Sequence, residues 1–433
     1  MSLDTDRNSH GKSGDLGAVR NSPKGSLQPS GSSWSQTFSS LSIPEYRLLW
    51  FSVLFWVSGG HMQSVVRSYL AYELTGSAKI LATITAAQVI PLLVLALFAG
   101  AIADRVDHRK LLQLGQFITA LASLFIAISI TTNTVTWYHL LFSGMIQGGA
   151  WAFMSPARQG LIKDIVGRER LPNAVALIGA GLSTVSLFAP ALGGILYALL
   201  GPDVVSYLST GIGFGSVLML GLITKQDTVP RVSRVNFIGE IGFGLIYLKN
   251  DKLVLMVIGT VFAAMILIHP VLTLLPVLVK EVFGRGSEAY GAIISMLGMG
   301  SLVGSLAVAG LGRWRRGMLL IVGNVAAGAA LVTVAFINYW YAAVAIMMIV
   351  GLSEAGRRSL SQTLIMERVD DEHQGRVISV YTMSFGLAPI GVIPAGFAVD
   401  LIGIGPTIAI LGGIMFSVSV IVAILQKDLR ELQ

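Results

Sequence analysis

The stretch that decides the fold is residues 79–110, KILATITAAQVIPLLVLALFAGAIADRVDHRK. Between Lys79 and Asp104 it holds 24 residues without a formal charge. As an α-helix, such a run extends over roughly 36 Å at ~1.5 Å per residue, which is enough to cross a hydrocarbon core of ~30 Å. A dense group of charged residues follows at once. The stretch therefore predicts a transmembrane helix that ends in a charged loop.

The composition of the whole chain agrees with this interpretation. Hydrophobic residues make up 54% of the 433 residues and charged residues only 12%, whereas soluble domains carry about 25% charged residues. Similar apolar runs recur along the chain without the strict alternation of an outer-membrane strand, so helices are favoured over a β-barrel. The chain contains no Cys, which excludes disulfides and thiolate metal sites.

We predict an all-α membrane protein with twelve spans in two six-helix halves. The domains are a disordered cytoplasmic tail (1–45), a first half (46–224), a cytoplasmic linker with an amphipathic helix (225–253), a second half (254–425) and a cytoplasmic C-terminus (426–433). The predicted spans are 48–72, 79–101, 111–131, 136–156, 174–199, 204–224, 254–279, 289–311, 317–336, 339–360, 377–400 and 405–425.

The distribution of basic residues tests this topology. With the N-terminus in the cytoplasm, 26 of the 30 Lys and Arg residues fall on the inner side, 3 fall in outer loops and Arg67 lies inside a span. Cytoplasmic loops are expected to hold this excess. We therefore predict a plasma (inner) membrane protein with both termini in the cytoplasm. The net charge of +7 is explained by topology, so we expect no nucleic-acid partner.

The two halves carry similar sequences at corresponding places. The octapeptide 159–166, QGLIKDIV, aligns without gaps with 362–369, QTLIMERV, at an offset of 203. In this alignment Asp164 corresponds to Glu367, and the same offset brings Gly193 onto Gly396. Both octapeptides follow the fourth span of their half, as an internal duplication requires. Transporters built from parallel repeats bind substrate between the halves near the middle of the membrane.

The charged loop after the second span carries a recognisable motif. It reads Gly100-Ala-Ile-Ala-Asp104-Arg105-Val-Asp107-His108-Arg109-Lys110 and resembles the signature of the major facilitator superfamily, Gly-x-Leu-Ala-Asp-Arg-x-Gly-Arg-Arg-x. We expect this cluster to latch one conformation and release another; its members are Gly100, Asp104, Arg105, Arg109 and Lys110. Asp107 replaces a glycine of the signature. The other interpretation is an ordinary basic loop.

Three further motifs resemble the branch of that superfamily that contains enterobactin exporters and macrolide efflux proteins. They are Tyr72-Glu-Leu-Thr-Gly-Ser77, Ser155-Pro-Ala-Arg-Gln159 and Gln374-Gly-Arg-Val377, and the resemblance covers residues 46–425. Span 5 also holds Ala189-Pro190-Ala-Leu-Gly193-Gly194, similar to the Gly-Pro-x-x-Gly-Gly element of drug/proton antiporters. We expect Pro190 to bend the helix and Gly193 and Gly194 to allow close packing.

One departure from the family affects the coupling mechanism. Many antiporters of this superfamily carry an Arg three residues before the Gln-Gly of span 4. Here Gln147-Gly148 is present, but the Arg position is Gly144. A proton-coupling mechanism built on that Arg is therefore not carried over.

Polar residues inside spans are costly in lipid and are candidates for function. Arg67 is equally compatible with substrate binding or coupling and with a structural bond, whereas Glu354 suits a structural ion pair with Arg358 better than proton coupling. Gln88 and Gln116 are weaker candidates, and no metal site is predicted because these residues do not cluster at ligand spacing. The candidates for substrate binding or coupling are His61, Gln63, Arg67, Gln147, His269, Glu354, Arg357 and Arg358.

These features predict a secondary transporter and not an enzyme. The resemblance implies an exporter of amphipathic small molecules of the drug, macrolide or siderophore type, working as an antiporter by alternating access with H⁺ as coupling ion. We expect no cofactor and a monomer in the lipid bilayer. One alternative is an importer of a small polar solute, and another is a membrane protein that transports nothing.

Overall fold

The computed structural model describes residues 39–103, 105–224, 251–311 and 315–426. In these ranges the chain forms α-helices, two 3₁₀-helices (Ser39–Ser42 and Ser384–Leu387) and short turns. The helices are α1 Pro44–Thr75, α2 Ala78–Ala103, α3 His108–Thr131, α4 Trp137–Leu200, α5 Pro202–Gly221, α6 Lys252–Leu267, α7 His269–Thr273, α8 Leu275–Glu281, α9 Ser287–Leu311, α10 Arg316–Phe336, α11 Trp340–Arg368, α12 Asp371–Met383, α13 Ala388–Ile402 and α14 Ile404–Leu425.

Regular structure starts earlier than the predicted tail boundary at residue 45. The hydroxyl of Ser40, which is buried, donates a hydrogen bond of 2.7 Å to Asn173 Oδ1. Leu41 packs against buried residues of the first half, and Pro44 opens α1, where its missing N–H has no helical partner to lose. Residues 1–38, Asp104, the amphipathic segment 237–248 with most of the linker, and residues 427–433 lie outside the described part of the chain.

Predicted spans 4 and 5 both fall within α4, which runs for 64 residues. A continuous helix of that length would reach roughly 96 Å, about three times the hydrocarbon thickness. Its helical backbone is interrupted at Gly167, with φ 73° and ψ 178°, a left-handed region that favours glycine. The predicted loop between the two spans is therefore helical on both sides of a single break. No such interruption occurs at Pro190.

Nine helical segments of the described residues are long and apolar enough to cross a membrane, and α4 is one of them. Helices α1 and α11 are not in this set; they carry charged residues, among them Arg67 in α1 and Glu354 in α11. Predicted span 7 consists of three consecutive helices, α6 to α8, with Pro270 and Pro276 at the starts of α7 and α8. A count of twelve crossings stays a prediction.

The helices pack in two groups that meet mainly along two helix pairs. Helices α1 to α5 pack against one another, and α6 to α14 form the second group. The groups join mainly where α4 meets α9 and α2 meets α13, with smaller contacts such as those of α1 with α8 and α9. One core cluster contains residues of both groups, including Tyr69, Tyr72, Leu278 and Tyr290. We call the end of the bundle that holds these four residues the joined end.

The core is divided differently away from the joined end. A second cluster contains residues of the first half only, from Tyr46 to Ile223. A third contains residues of the second half only, from Val254 to Tyr381. The halves thus share apolar packing at one end and bury their apolar side chains separately toward the other.

The octapeptide repeat has a structural counterpart in both halves. Asp164, near the end of the first octapeptide, lies 2.6 Å from Nδ1 of His108, the first residue of α3. Glu367, its counterpart, lies 2.5 Å from Arg316, the first residue of α10. In each half, an acid on the helix of the fourth span therefore pairs with the first residue of the helix of the third span in the same half. The two pairs occupy matching places with different basic residues.

Candidate functional site

The turn before α3 adopts a helix-capping geometry in place of the glycine of the signature. Oδ1 of Asp107 accepts hydrogen bonds from the backbone N–H groups of Arg109 at 2.9 Å and Lys110 at 3.2 Å. Asp is a favoured N-cap residue because its carboxylate satisfies free N–H groups of the first turn. The substitution of the signature glycine therefore creates a helix cap.

The other members of the predicted latch are spread around this turn. Arg109 donates a hydrogen bond from Nη1 to the carbonyl oxygen of Ile223, beyond the end of α5. Arg105 and Lys110 are exposed. A Cβ built on Gly100 meets no atom within 4 Å, so among the described residues no close contact requires glycine at this position. Asp104 is not described, and its role stays a prediction.

A cavity of about 200 Å³, with polar side chains set into a mostly apolar lining, lies in the first half, roughly midway along its helices. The guanidinium of Arg67, which is buried, donates hydrogen bonds to Oε1 of Gln147 at 2.6 Å and to Oε1 of Gln88 at 2.9 Å. Trp56 and Trp151 form an aromatic wall, with ring centroids 5.0 Å apart. The lining residues are Trp56, Val57, Gly60, His61, Ser64, Arg67, Gln88, Gln147 and Trp151.

The aliphatic part of the Arg67 side chain lies beside Gly144, the position at which many antiporters of the superfamily carry an Arg. A Cβ built on Gly144 would lie 3.8 Å from Cδ of Arg67 and 3.8 Å from Cβ of Gln88. Glycine at 144 thus leaves room beside α4 for the side chain that α1 supplies. The cavity still contains a guanidinium, but it comes from a different helix than in the antiporters whose motif the chain departs from.

Three other polar candidates occupy distinct surroundings. His61 lines the cavity, with Nε2 at 3.3 Å from the hydroxyl of Ser186. Gln63 does not line it; its amide is buried and has no hydrogen-bond partner among the described residues. Gln116 accepts hydrogen bonds from Ser52 at 3.2 Å and Ser216 at 3.0 Å, which ties α3 to α1 and α5. Gln63 and Arg67 are four residues apart on α1, yet of these two only Arg67 lines the cavity.

The candidates of the second half form a cluster on α11. Glu354 is hydrogen-bonded to Nη2 of Arg357 and lies 3.5 Å from Nη2 of Arg358. The predicted pair with Arg358 is present, and Arg357 is the closer partner. His269, at the start of α7, interacts electrostatically with Glu354 and Arg357. The Arg357 side chain is buried, whereas that of Arg358 is 57% exposed.

The joined end carries polar contacts between the halves that the sequence did not predict. The Asp400 carboxylate on α13 accepts hydrogen bonds from the Ser77 hydroxyl at 2.8 Å and from the backbone N–H groups of Ala78 at 2.9 Å and Lys79 at 3.4 Å. Tyr72 donates a hydrogen bond to Glu281 of α8. Asp400 thus caps the first turn of α2 from the other half.

Glycines bring the halves into direct backbone contact nearby. A Cβ on Gly194 would lie 3.0 Å from Cα of Gly291, and one on Gly291 would lie 2.5 Å from the carbonyl oxygen of Pro190. Gly193 instead faces Met62 of α1, whose Cα would be 3.1 Å from its Cβ. The two neighbouring glycines therefore pack against different partners, one within the first half and one across to the second.

The comparison with protein families covers almost the whole chain. The model of the transmembrane secretion effector family, a major facilitator family, matches residues 35–432. The chain belongs to this family. Members of the major facilitator superfamily are transporters and not enzymes, which confirms both the predicted superfamily and the predicted absence of enzymatic activity.

Relatives of this transmembrane secretion effector include two proteins named for efflux and one named as a transporter. The chain is 23% identical to macrolide efflux protein A of Streptococcus pyogenes, over 87% of this chain and 94% of the relative. It is 24% identical to the multidrug efflux pump Tap of Mycolicibacterium fortuitum, over 89% and 96% of the two chains. It is 23% identical to the staphyloferrin A transporter of Staphylococcus aureus, over 79% and 86%.

Solved structures of major facilitator transporters share the fold of this family member. The nucleoside transporter NupG superposes with a TM-score of 0.74 at 13% identity, covering 89% of this chain and 100% of that one. A peptide transporter of the POT type superposes with a TM-score of 0.72 at 11% identity, covering 90% and 95%. The predicted all-α major facilitator fold is confirmed.

Proposed function

We propose that this protein is a secondary active exporter of amphipathic small molecules that works by alternating access. The observation that carries the proposal is the cavity around Arg67, roughly midway along a bundle whose halves share a core only at the joined end. The cavity is lined by residues of the first half, and Tyr290 of the second half interacts electrostatically with Arg67. A binding site beside the contact between two halves that can separate at either end is what alternating access requires. Relatives named for macrolide and multidrug efflux support the outward direction.

The orientation follows from the basic residues. The joined end lies next to Lys79, Lys280 and Arg285, the three basic residues assigned to outer loops. Under the positive-inside rule this end faces outward, both termini are cytoplasmic, and the described conformation is closed toward the outside. A reporter that is active only outside the cytoplasm, fused after Gln433, should be silent; activity there would overturn the orientation.

We also propose roles for the candidate residues. The loop 100–110 latches the halves in one state, Gly193 and Gly194 provide close packing, and Arg67, His61 and Gln147 contact substrate or take part in coupling. The coupling ion is H⁺, with Glu354 as one candidate to carry it. A structural ion pair with Arg357 and Arg358 remains the competing role for Glu354. The protein acts as a monomer in the plasma membrane.

The test begins with expression in an efflux-deficient bacterium and growth against antibiotics, dyes and siderophore-type chelators. A compound to which expression gives resistance is then followed in everted membrane vesicles with an imposed pH gradient. We expect uptake into the vesicles that a protonophore abolishes. The matched control is Arg67→Gln at equal abundance, which should lose most of the uptake. Uptake that ignores the gradient, or resistance to no compound, would contradict the proposal.

A further inference from the structure

Among the residues that the structure describes, no acidic side chain lines the cavity around Arg67. Among the described residues, the hydrogen bonds of Arg67 go to the neutral amide oxygens of Gln88 and Gln147. Arg stays ionised in proteins, and a buried charge without a partner of opposite sign is unfavourable. The phenol of Tyr290, from the second half, interacts with Arg67, but it is neutral at about pH 7 and does not offset this charge. The cavity therefore holds an uncompensated positive charge.

The second half adds to this excess. On α11, Glu354 compensates one of the two guanidinium groups beside it, Arg357 and Arg358. Nε of Arg357 is buried without a hydrogen-bond partner among the described residues. Clefts with low-dielectric walls and charges of one sign concentrate ligands of the opposite sign. In each half, these guanidinium groups thus outnumber their acidic partners among the described residues, which favours binding of an anion within the membrane.

The remaining lining of the cavity is suited to an aromatic or apolar ring. Trp56 is held in place by a hydrogen bond of 3.0 Å from its Nε1 to Thr119 Oγ1, and its ring packs against that of Trp151. The volume of about 200 Å³ is below the roughly 300–1,000 Å³ of pockets that enclose a whole drug-sized ligand. The cavity has room for the charged group of a ligand and the ring next to it.

We infer that this site selects amphipathic organic anions, in which a carboxylate or sulfonate group adjoins an aromatic or apolar ring. The anionic group binds the guanidinium of Arg67, whose planar fork suits two parallel hydrogen bonds to such a group. The ring lies against Trp56 and Trp151. Cationic amphiphiles of the same shape are rejected by the same charge. This inference rests on the proposed transport function and names its substrate class.

The test uses three probes that share one ring and differ in the polar group. They are 1-naphthylacetate (anionic), 1-naphthylacetamide (neutral) and 2-(1-naphthyl)ethylammonium (cationic). Binding to the full-length protein in nanodiscs is measured by titration calorimetry. We expect the anion to bind about tenfold more tightly than the amide, because a charge-assisted hydrogen bond is roughly twice as strong as a neutral one. The cation should bind more weakly than either.

Substitutions test whether Arg67 is the residue that causes the preference for the anionic probe. Arg67→Gln should lower affinity for 1-naphthylacetate to about that of the amide and change amide affinity by less than about twofold, as loss of a charge-specific contact requires. Arg67→Lys should keep part of the preference. The control Arg170→Gln removes an equal charge from an exposed position and should alter none of the three affinities.

Several results would overturn the inference. They are equal or tighter binding of the cation by the wild-type protein, no binding of 1-naphthylacetate at millimolar concentration, or equal losses for anion and amide in Arg67→Gln. If that variant does not fold, the ranking of the three probes by the wild-type protein decides. Binding needs no gradient, so an anion preference without uphill export refutes only the proposed exporter function. Uphill export of cations refutes only the anion preference.

Discussion

The carboxylate of Asp400 accepts a hydrogen bond from the backbone N–H of Ala78, 2.9 Å away in the other half of the molecule. Opening of the joined end has to break this bond. Hydrogen bonds to charged groups contribute about 1.5–3 kcal/mol each, so loss of the carboxylate should favour the state that is open at this end. Asp400→Ala should therefore shift the conformational equilibrium by about tenfold or more.

The absence of Cys makes this shift measurable. A single Ser64→Cys substitution in the cavity lining provides the only thiol of the chain. A membrane-impermeant maleimide, added outside sealed right-side-out vesicles, should label it faster in the Asp400→Ala background. Asp203→Ala is the matched control, because Asp203 lies in the first turn of α5, within the first half. Equal labelling rates in the two backgrounds would mean that Asp400 does not hold the joined end closed.

Transport should require opposite charges at positions 316 and 367, whichever of the two positions carries the positive charge. Glu367→Arg and Arg316→Glu should each reduce transport, and the double swap should restore part of it, because residues in direct contact couple energetically. The measurement is transport per folded molecule. Failure of the double swap to exceed either single variant would show that the pair adds nothing beyond the separate charges.

The two acids of the loop 100–110 should behave differently. Asp104→Asn should impair transport far more than it lowers abundance, as a latch between conformations requires. Asp107→Ala removes the cap of α3 and should lower stability by about 1 kcal/mol, with transport per folded molecule retained. Abundance and transport are measured together in both variants. If Asp104→Asn transports at the wild-type rate, the loop 100–110 sets the membrane topology but does not act as a latch.

Glu354→Gln separates proton coupling from a structural ion pair. If Glu354 carries the proton, the variant should bind substrate and exchange it downhill but lose gradient-driven export. If Glu354 only pairs with Arg357 and Arg358, abundance should fall and the surviving protein should export uphill. Glu169→Gln, at an exposed position, is the control. Full gradient-driven export by Glu354→Gln directs the search to His61, Glu73, His269 or Asp400.

Removal of the N-terminal segment should depend on where the deletion ends. Deleting residues 2–37 removes none of the contacts described above and should leave transport nearly intact. A deletion of 2–42 also removes the bond between Ser40 and Asn173 and the packing of Leu41, and should lower abundance. Western blots and transport assays of both deletions check this. Loss of activity from the shorter deletion would assign a function to the segment.

The fold could be predicted because every span has to be long enough and apolar enough to cross the membrane as a helix. Apolar length and basic loops suffice to place most helices, as the run 80–103 in α2 illustrates. The break at Gly167 was missed because the surrounding sequence suits a helix on both sides. The start at Ser39 was missed because the contact with Asn173 joins residues more than a hundred positions apart.

The site could be predicted in part. Arg67 and Gln147 were both singled out as polar residues in spans, and the structure brings them within 2.6 Å. Trp56 and Trp151 were not, because Trp is ordinary in membrane helices. The role of Asp400 depends on how the halves dock, which no local pattern encodes.

The contact of Gly194 with Gly291 has a mechanical consequence. Neither glycine has a side chain to interlock, so the backbones of α4 and α9 meet directly, and the hydroxyl of Ser287 on α9 adds a hydrogen bond of 3.2 Å to the carbonyl oxygen of Gly194. At this point α4 can rotate against α9 without a change of side-chain rotamer at either glycine, so the contact can serve as a pivot between the halves. The hydrogen bonds around this pivot, such as that between Asp400 and Ala78, then contribute to the free-energy difference between the conformations that the protein passes through in each transport cycle.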